Sequence, residues 1–372
     1  MTGRPPLLPD SEKRDWLRLI RSAYLGPITF HHILRYYGSA ANAIERLPEM
    51  AKRGGTKRRI ELADLKIVDA ELKALKACGA KLVAWGEPGY PVGLMQLDDA
   101  PPLLAAKGDP LISEGAGIAI VGARNASAIA QRFTRDIAGE LCRQDFIIVS
   151  GLARGIDKAA HDGALQVHGK TMAFIGTGID IAFPPENAKL HDEIAERGVI
   201  FAEMPAGTSP LAQNFPRRNR LISGASLGVL VVEAALKSGS LITARMAAEQ
   251  GREVMAVPGS PLDPRCHGSN DLIRQGATLV ERIDDILAVI APQRPAVPQA
   301  PIRSVALPTP VADDDLARAH AELDRLLSPN PVDIDELIRL SGLPSATILM
   351  VLTEKELAGR VHRHPGGKIS AS

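Results

Sequence analysis

Aromatic residues are scarce in this 372-residue chain, 3% of the total, with two tryptophans, four tyrosines and seven phenylalanines. Any sizeable core must therefore be built from Ala, Leu, Ile and Val. Cysteine is nearly missing as well. Cys78, Cys142 and Cys266 are odd in number and far apart, which speaks against a disulfide framework and against a zinc site. Neither sign of charge prevails: 44 Lys+Arg face 43 Asp+Glu, for a net charge of +1. No global basic field exists, so any contact with nucleic acid must come from local patches. Long apolar runs are also lacking. Glu233 interrupts the best one, so no transmembrane helix is expected. Residues 1–16 are polar and proline-containing, unlike a signal peptide. These absences describe a protein of the reducing cytoplasm with no membrane partner.

What is present suffices for folding: 45% apolar and 23% charged residues, at a length that predicts two or three domains. Residues 291–312 are proline-rich without a periodic apolar face and read as a semi-rigid spacer. Before it, residues 10–60 read as short helices. Leu25-Gly26-Pro27-Ile28 turns between two of them, as in a helix-hairpin-helix whose second glycine is replaced by Ile28; a SAM-like helical bundle fits equally. The run KRGGTKRR, 52–59, carries five bases in eight residues and reads as a solvated loop or an auxiliary DNA contact. After the spacer, helices over 333–340 and 344–357 flank the corner Ser341-Gly342-Leu343, and 360–370 alternates as a wing would. From 313 to 359 this winged-helix unit has ten acidic and four basic residues, which favours a protein partner over duplex DNA.

Between these ends, residues 115–290 alternate strand and helix. Short apolar strands are expected at 117–121, 146–149, 171–175, 199–202, 227–232 and 253–257. Over 125–143, Ile129, Phe133, Ile137 and Leu141 mark one helical face. The expected fold is α/β: a Rossmann-like doubly wound, mostly parallel sheet, flanked by an N-terminal helical domain (SAM-like or helix-hairpin-helix) and a C-terminal winged helix. The divisions fall at 1–84, 85–290, 291–312 and 313–372.

In such a sheet, loops after strand C-termini share one crevice. Four of these loops are unusual: Gly122-Ala123-Arg124, the loop from Ser150 and Gly151 to Gly155, Gly176-Thr177-Gly178, and Lys237-Ser238-Gly239-Ser240. Each combines glycine with a small hydroxyl or a base ahead of a helix, and four on one rim point to an anion site. The dinucleotide fingerprint fails, because Arg124 and Ile181 stand where glycines belong, and no P-loop lysine motif exists. No cofactor is therefore expected. The segment Gln213-Asn214-Phe215-Pro216-Arg217-Arg218-Asn219-Arg220 sets three guanidinium groups beside an aromatic ring. Arginine forks pair with phosphate, and a ring can stack on a base, so the pattern suits single-stranded nucleic acid. Catalytic readings are thinner. Asp157 and His161 lie four apart, most simply a helix-terminal carboxylate and a hydrogen-bonded histidine. Glu233 is a base or orients Arg220 or a backbone amide. No nucleophile–base pair or metal cluster stands out.

The central domain closely resembles the DprA family, also called Smf. The segments that carry the resemblance are IVGARNAS at 120–127, VSGLARGIDKAAHDGAL at 149–165, IGTGIDIAFPPENAKL at 175–190, NFPRRNRLISGAS at 214–226, VVEAALKSGSLITARMAAEQGREVMAVPGS at 231–260 and GSNDLIRQGA at 268–277. The resemblance implies a DNA-processing protein of natural transformation. Such a protein binds single-stranded DNA, loads RecA onto it, forms a homodimer through the central domain and catalyses no reaction. It implies a DNA site at Arg124, Ser150, Gly151, Phe215, Arg217, Arg218 and Asn219. The rim loops add Gly122, Arg220, Lys237, Ser238, Gly239 and Ser240. The competing expectation is a Rossmann-like enzyme such as a nucleoside-monophosphate phosphoribohydrolase, although the Pro-Gly-Gly-x-Gly-Thr run of those enzymes is absent.

Overall fold

The computed structural model describes residues 7–55, 61–291, 313–364 and 366–372; nearly all of the expected spacer and the second half of the 52–59 run lie outside them. The chain begins with helices α1 (Asp10–Ile20), α2 (Pro27–Tyr37), α3 (Ala40–Arg53) and α4 (Leu65–Ala77). Pro27 opens α2, where a missing N–H costs nothing, and Gly38 closes it in the left-handed conformation, φ 78°. The Ser39 side chain caps α3 by accepting the Asn42 N–H. An α/β region follows: β1 (Lys81–Ala84), β2 (Leu103–Gly108), β3 (Gly117–Gly122), α5 (Ala128–Arg143), β4 (Ile147–Ser150), α6 (Ile156–Gln166), β5 (Thr171–Ile175), α7 (Ala188–Arg197) and β6 (Val199–Ala202). It continues with α8 (Asn214–Gly224), β7 (Gly228–Val232), α9 (Gly239–Glu249), β8 (Glu253–Ala256), α10 (His267–Arg274), β9 (Thr278–Leu279) and α11 (Ile283–Ile290). The C-terminal part holds α12 (Asp313–Leu326), β10 (Val332–Asp333), α13 (Ile334–Ser341), α14 (Ser345–Leu357), β11 (Val361–His364) and β12 (Lys368–Ala371).

Nine strands form one sheet in the order β1-β2-β6-β5-β4-β3-β7-β8-β9. From β6 to β9 every pairing is parallel, with Ala119 opposite both Val149 and Val229. Strands β4, β5, β6 and β7 are buried at every position, as strands covered on both faces must be. Successive residues serve opposite faces. Ile118 and Ile120 of β3 join Ile137 and Leu141 of α5 in one core, while Ala119 and Val121 join Leu221 and Ile222 of α8 in the other. The sheet is thus doubly wound, as expected. Connections run outward from β3 through β4, β5 and β6, then return to β7 on the other side of β3. The topological switch point lies between β3 and β7.

Three details depart from the expectation. β1 and β2 are antiparallel additions to the sheet edge, so the sheet begins at Lys81, ahead of the division drawn at 84/85. The Ile129 side chain is 83% exposed, because the α5 core face starts at Ala130 and continues through Thr134, Ile137 and Leu141. The third concerns the two ends of the chain. The molecule divides into two compact units, one running from Glu71 through the sheet, the other combining Leu8–Ala70 with the C-terminal residues. The C-terminal unit does not stand alone beyond a spacer. Its α14 packs on α12 and also on α2 and α3 of the N-terminal domain. The core of this second unit takes Leu17, Phe30, Ile33 and Leu47 from one end and Leu316, Leu337, Val351 and Leu352 from the other. Strands β10, β12 and β11 form the small antiparallel wing sheet. No helix among the described residues is long and apolar enough to cross a membrane.

Candidate nucleic-acid interface

At the switch point, a cleft of about 670 Å³ opens over the C-terminal ends of β3 and β7. Its walls are the loop after β3, the first turn of α8, the loop between β7 and α9, and Arg265 beyond β8. The backbones of β3 and β7 meet closely at its floor. A Cβ on Gly122 would run into the Val232 carbonyl and the Ile156 side chain, so glycine is required there by space.

Arg124 is exposed at the cleft, with its guanidinium carbon 5.7 Å from the centroid of the Phe215 ring. A cation over an aromatic face gains about 0.5–1 kcal/mol at an exposed site. Phe215 rests in turn near Phe183, ring centroids 5.7 Å apart, and beside Gly176. Arg124 and Phe215 therefore act as one preassembled cation–ring pair, and the Gly176 loop supports the ring without lining the cleft itself. Lys237, which also lines the cleft, is exposed beside the first turn of α9. Ser238 caps that helix by accepting the Ser240 N–H, and the two hydroxyls lie 2.7 Å apart. Gly239 and Ser240 complete this wall. Asn219 also lines the cleft and donates to the Gly239 carbonyl at 3.3 Å, joining the two walls.

The loop that carries Arg124 is anchored by Glu233. This residue adopts the left-handed conformation, φ 47°, just past β7, an uncommon state for a side chain with a Cβ. Its carboxylate accepts the Ser127 N–H at 2.8 Å and the Ser127 hydroxyl at 2.6 Å. Of the roles open to Glu233 in the sequence, the geometry selects orienting a backbone amide.

Several of the expected contact residues make polar contacts within the protein. Arg218 is 6% exposed. Through Nη1 it donates to the carbonyls of Gly151 and, at 2.6 Å, Phe174, and its buried Nε has no partner; the residue still forms part of the cleft lining. The Ser150 hydroxyl is buried and donates to the Ile120 carbonyl. Gly151 is buried between Arg218, which takes its carbonyl, and Asp157, which accepts its N–H at 3.2 Å and that of Ala153 at 3.4 Å. Arg220 turns to Glu203, 2.6 Å away, and to Asp99. Arg217 is exposed but does not line the cleft. Arg265 was not foreseen. It lines the cleft while gripping Asp263 at 2.7 Å, and it follows the strand after β7, on the same rim where the other loops were sought.

Beneath the cleft, burial dominates the titrations. Asp157 is pushed above the ordinary carboxyl range by desolvation, against the pull of Arg218 and two amides. Burial, then the charges of Arg218 and Lys158, lowers His161 to about 3. His161 pairs with Thr171 and not with Asp157. Thr171 donates its own proton to the Ile148 carbonyl, so the 2.7 Å contact requires His161 Nδ1 to carry hydrogen. Arg218 is lowered by burial to about 10 and remains a cation at neutral pH. Nearby, Glu233, Asp263 and Cys266 bring three possible metal ligands together. The carboxylates are already engaged by Ser127 and Arg265, and burial raises the Cys266 thiol, which disfavours the thiolate a metal needs.

Residues 81–291 match the family described as DNA recombination-mediator protein A, residues 10–74 a DprA-like N-terminal HHH domain, and residues 307–367 a DprA winged helix domain. The chain is 38% identical over 305 residues to Protein Smf of Escherichia coli, covering 82% of this chain and 81% of that protein. It is 43% identical over 216 residues to DNA processing protein DprA of Bacillus subtilis, covering 58% and 73%. The X-ray structure of DNA processing protein A from Streptococcus pneumoniae superposes with a TM-score of 0.63 at 32% identity, covering 77% of this chain and 99% of that one. A Helicobacter pylori DNA processing protein A structure, described for its single-stranded DNA binding mode, gives 0.53 at 28%, covering 58% and 97%. By sequence, domain content and fold, this chain belongs to the DNA recombination-mediator protein A family, the DprA or Smf proteins.

Proposed function

We propose that this protein binds single-stranded DNA in the switch-point cleft and acts as a recombination mediator that delivers the strand to RecA. The single observation that carries the reading is the exposed Arg124 guanidinium set over the Phe215 ring, in a cleft that Lys237 and the α9 N-terminus also line. Phosphate would be met by Arg124, Lys237, Arg265, the Gly239 amide at the start of α9 and the Ser238–Ser240 hydroxyl pair, with Gly122 leaving room for close approach. A base would lie against Phe215, and Asn219 adds an amide. Arg217, exposed on the same turn of α8 but not lining the cleft, would follow the strand as it leaves. Arg218, Ser150, Gly151 and Arg220 hold the walls in place. The name of the Helicobacter pylori relative's structure supports the ligand. The activity is binding and not catalysis, in the cytoplasm and as a homodimer through the central domain.

The test is oligo-dT binding by Arg124→Ala and Phe215→Ala over a range of salt. Each variant should lose at least about fivefold, since a base stacked on a ring contributes about 1–3 kcal/mol. Arg124→Ala should also flatten the salt dependence by roughly 0.7 for each phosphate it no longer neutralises. Wild-type affinity in both variants would place the strand elsewhere. RecA filament growth on single strands, followed with and without the protein, tests the mediator role. Release of free base from nucleoside monophosphates would instead support the enzyme reading.

A further inference from the structure

The start of the basic run, at Arg53 and Gly54, and the acidic C-terminal unit are two features that the cleft leaves unexplained, and they meet. Glu354, in the last turn of α14, is fully buried. Its carboxylate is held by Arg53 from the end of α3 at 2.8 Å and by His320 of α12 at 2.7 Å. Around this node, His32 of α2 contacts the Thr353 hydroxyl at 3.2 Å, and Thr29 of α2 donates to Glu356 at 3.1 Å. Glu356 also takes the wing residue Arg363 at 3.0 Å.

Gly54 shows how closely the two ends are fitted. Its backbone is ordinary right-handed helix, φ −63°, which any residue adopts. A Cβ there would nevertheless collide with the Glu354 carbonyl and the Ala358 side chain. Nothing within α3 asks for glycine; the approach of α14 does. A buried carboxylate is tolerated only with its partners in place, and the N-terminal domain supplies the arginine.

We propose that the N-terminal helical domain is the standing partner of the C-terminal winged-helix unit. The Arg53-Gly54 end of α3 is its docking element, and Glu354 is the anchor. The test uses the full chain with a protease site introduced within residues 292–312. After cleavage, the C-terminal fragment should stay bound to the remainder through gel filtration. Gly54→Val should weaken that association by at least about tenfold, as overpacking at a fitted contact does. Arg53→Met, which removes the charge and keeps the bulk, should weaken it comparably, while exposed Lys52→Ala should not. Both variants alter α3 only at its end, and circular dichroism before cleavage checks that they fold. Separation of the wild-type fragments after cleavage would overturn the proposal. So would wild-type retention in Gly54→Val and Arg53→Met chains.

Discussion

Arg217 and Arg218 are neighbours in sequence and opposites in structure. Arg217 is exposed, whereas Arg218 serves two backbone carbonyls from inside the protein. Replacing Arg218 with alanine strands those carbonyls and leaves Asp157 buried without its nearest cation. The loss should be about 3–5 kcal/mol, lowering the melting temperature of the central domain by roughly 10 °C. Arg217→Ala should leave melting unchanged and weaken only oligonucleotide binding. Calorimetry and a binding titration on both variants decide the assignment; equal melting of the two would refute it. The distinction was partly legible in the sequence. Asn214, Arg218, Leu221, Ile222 and Ala225 fall at helical spacing on one face, and that face is the core. Residue type alone made both arginines look like phosphate ligands. What no pattern revealed is that a loop 67 residues away would need its carbonyl satisfied.

At the scale of one element, α6 combines two buried titratable groups, Asp157 and His161, under the Gly151 loop. His161 is lowered to about 3 from its ordinary 6.5, chiefly by burial. A depressed histidine binds its proton in the unfolded chain before the folded one, so its contribution is complete above about 6.5 and is lost as pH falls toward 3. Asp157, whose folded pKa is raised, acts in the opposite sense, in a window that runs upward from the ordinary carboxyl value and is common to the wild type and a His161 variant. Between pH 6.5 and 5 the histidine should therefore cost the central domain about 2 kcal/mol. His161→Asn retains a donor toward Thr171 and cannot titrate. Urea unfolding of the central domain at pH 7 and pH 5 should show a clearly smaller loss in the variant, and an identical loss would exclude this histidine as the cause. The sequence placed the strands and helices of this region well, because buried parallel strands are apolar throughout and α5 is amphipathic. β1 and β2, which lie at a sheet edge beside the proline-rich stretch 88–102, were not among the expected strands.

For the whole molecule, reading the chain as successive domains separated by a spacer missed the join between its ends. Hydrophobic period reports that a face is buried and never names the partner, which here lies about 300 residues away. One hint was available: SATILMVLTEKEL is apolar around most of its circumference, and a helix of that kind is covered on more than one side. The consequence is testable by deleting residues 313–372. The sheet unit has its own cores on both faces and should keep its stability and its oligonucleotide affinity. The N-terminal helices should not fare as well, since α2 and α3 would lose α14 from their packing and Arg53 would lose Glu354. Amide exchange should quicken across residues 27–54 by at least tenfold, because uncovering a face packed by large residues costs more than about 1.4 kcal/mol of local opening energy. Exchange in β3, β4 and β7 should stay as in the full chain. Unchanged exchange over 27–54 would mean that the helical domain stands by itself and that the join contributes nothing to its stability. Loss of oligonucleotide binding would mean instead that the C-terminal unit takes part in holding the strand, against the assignment of that role to the cleft between β3 and β7.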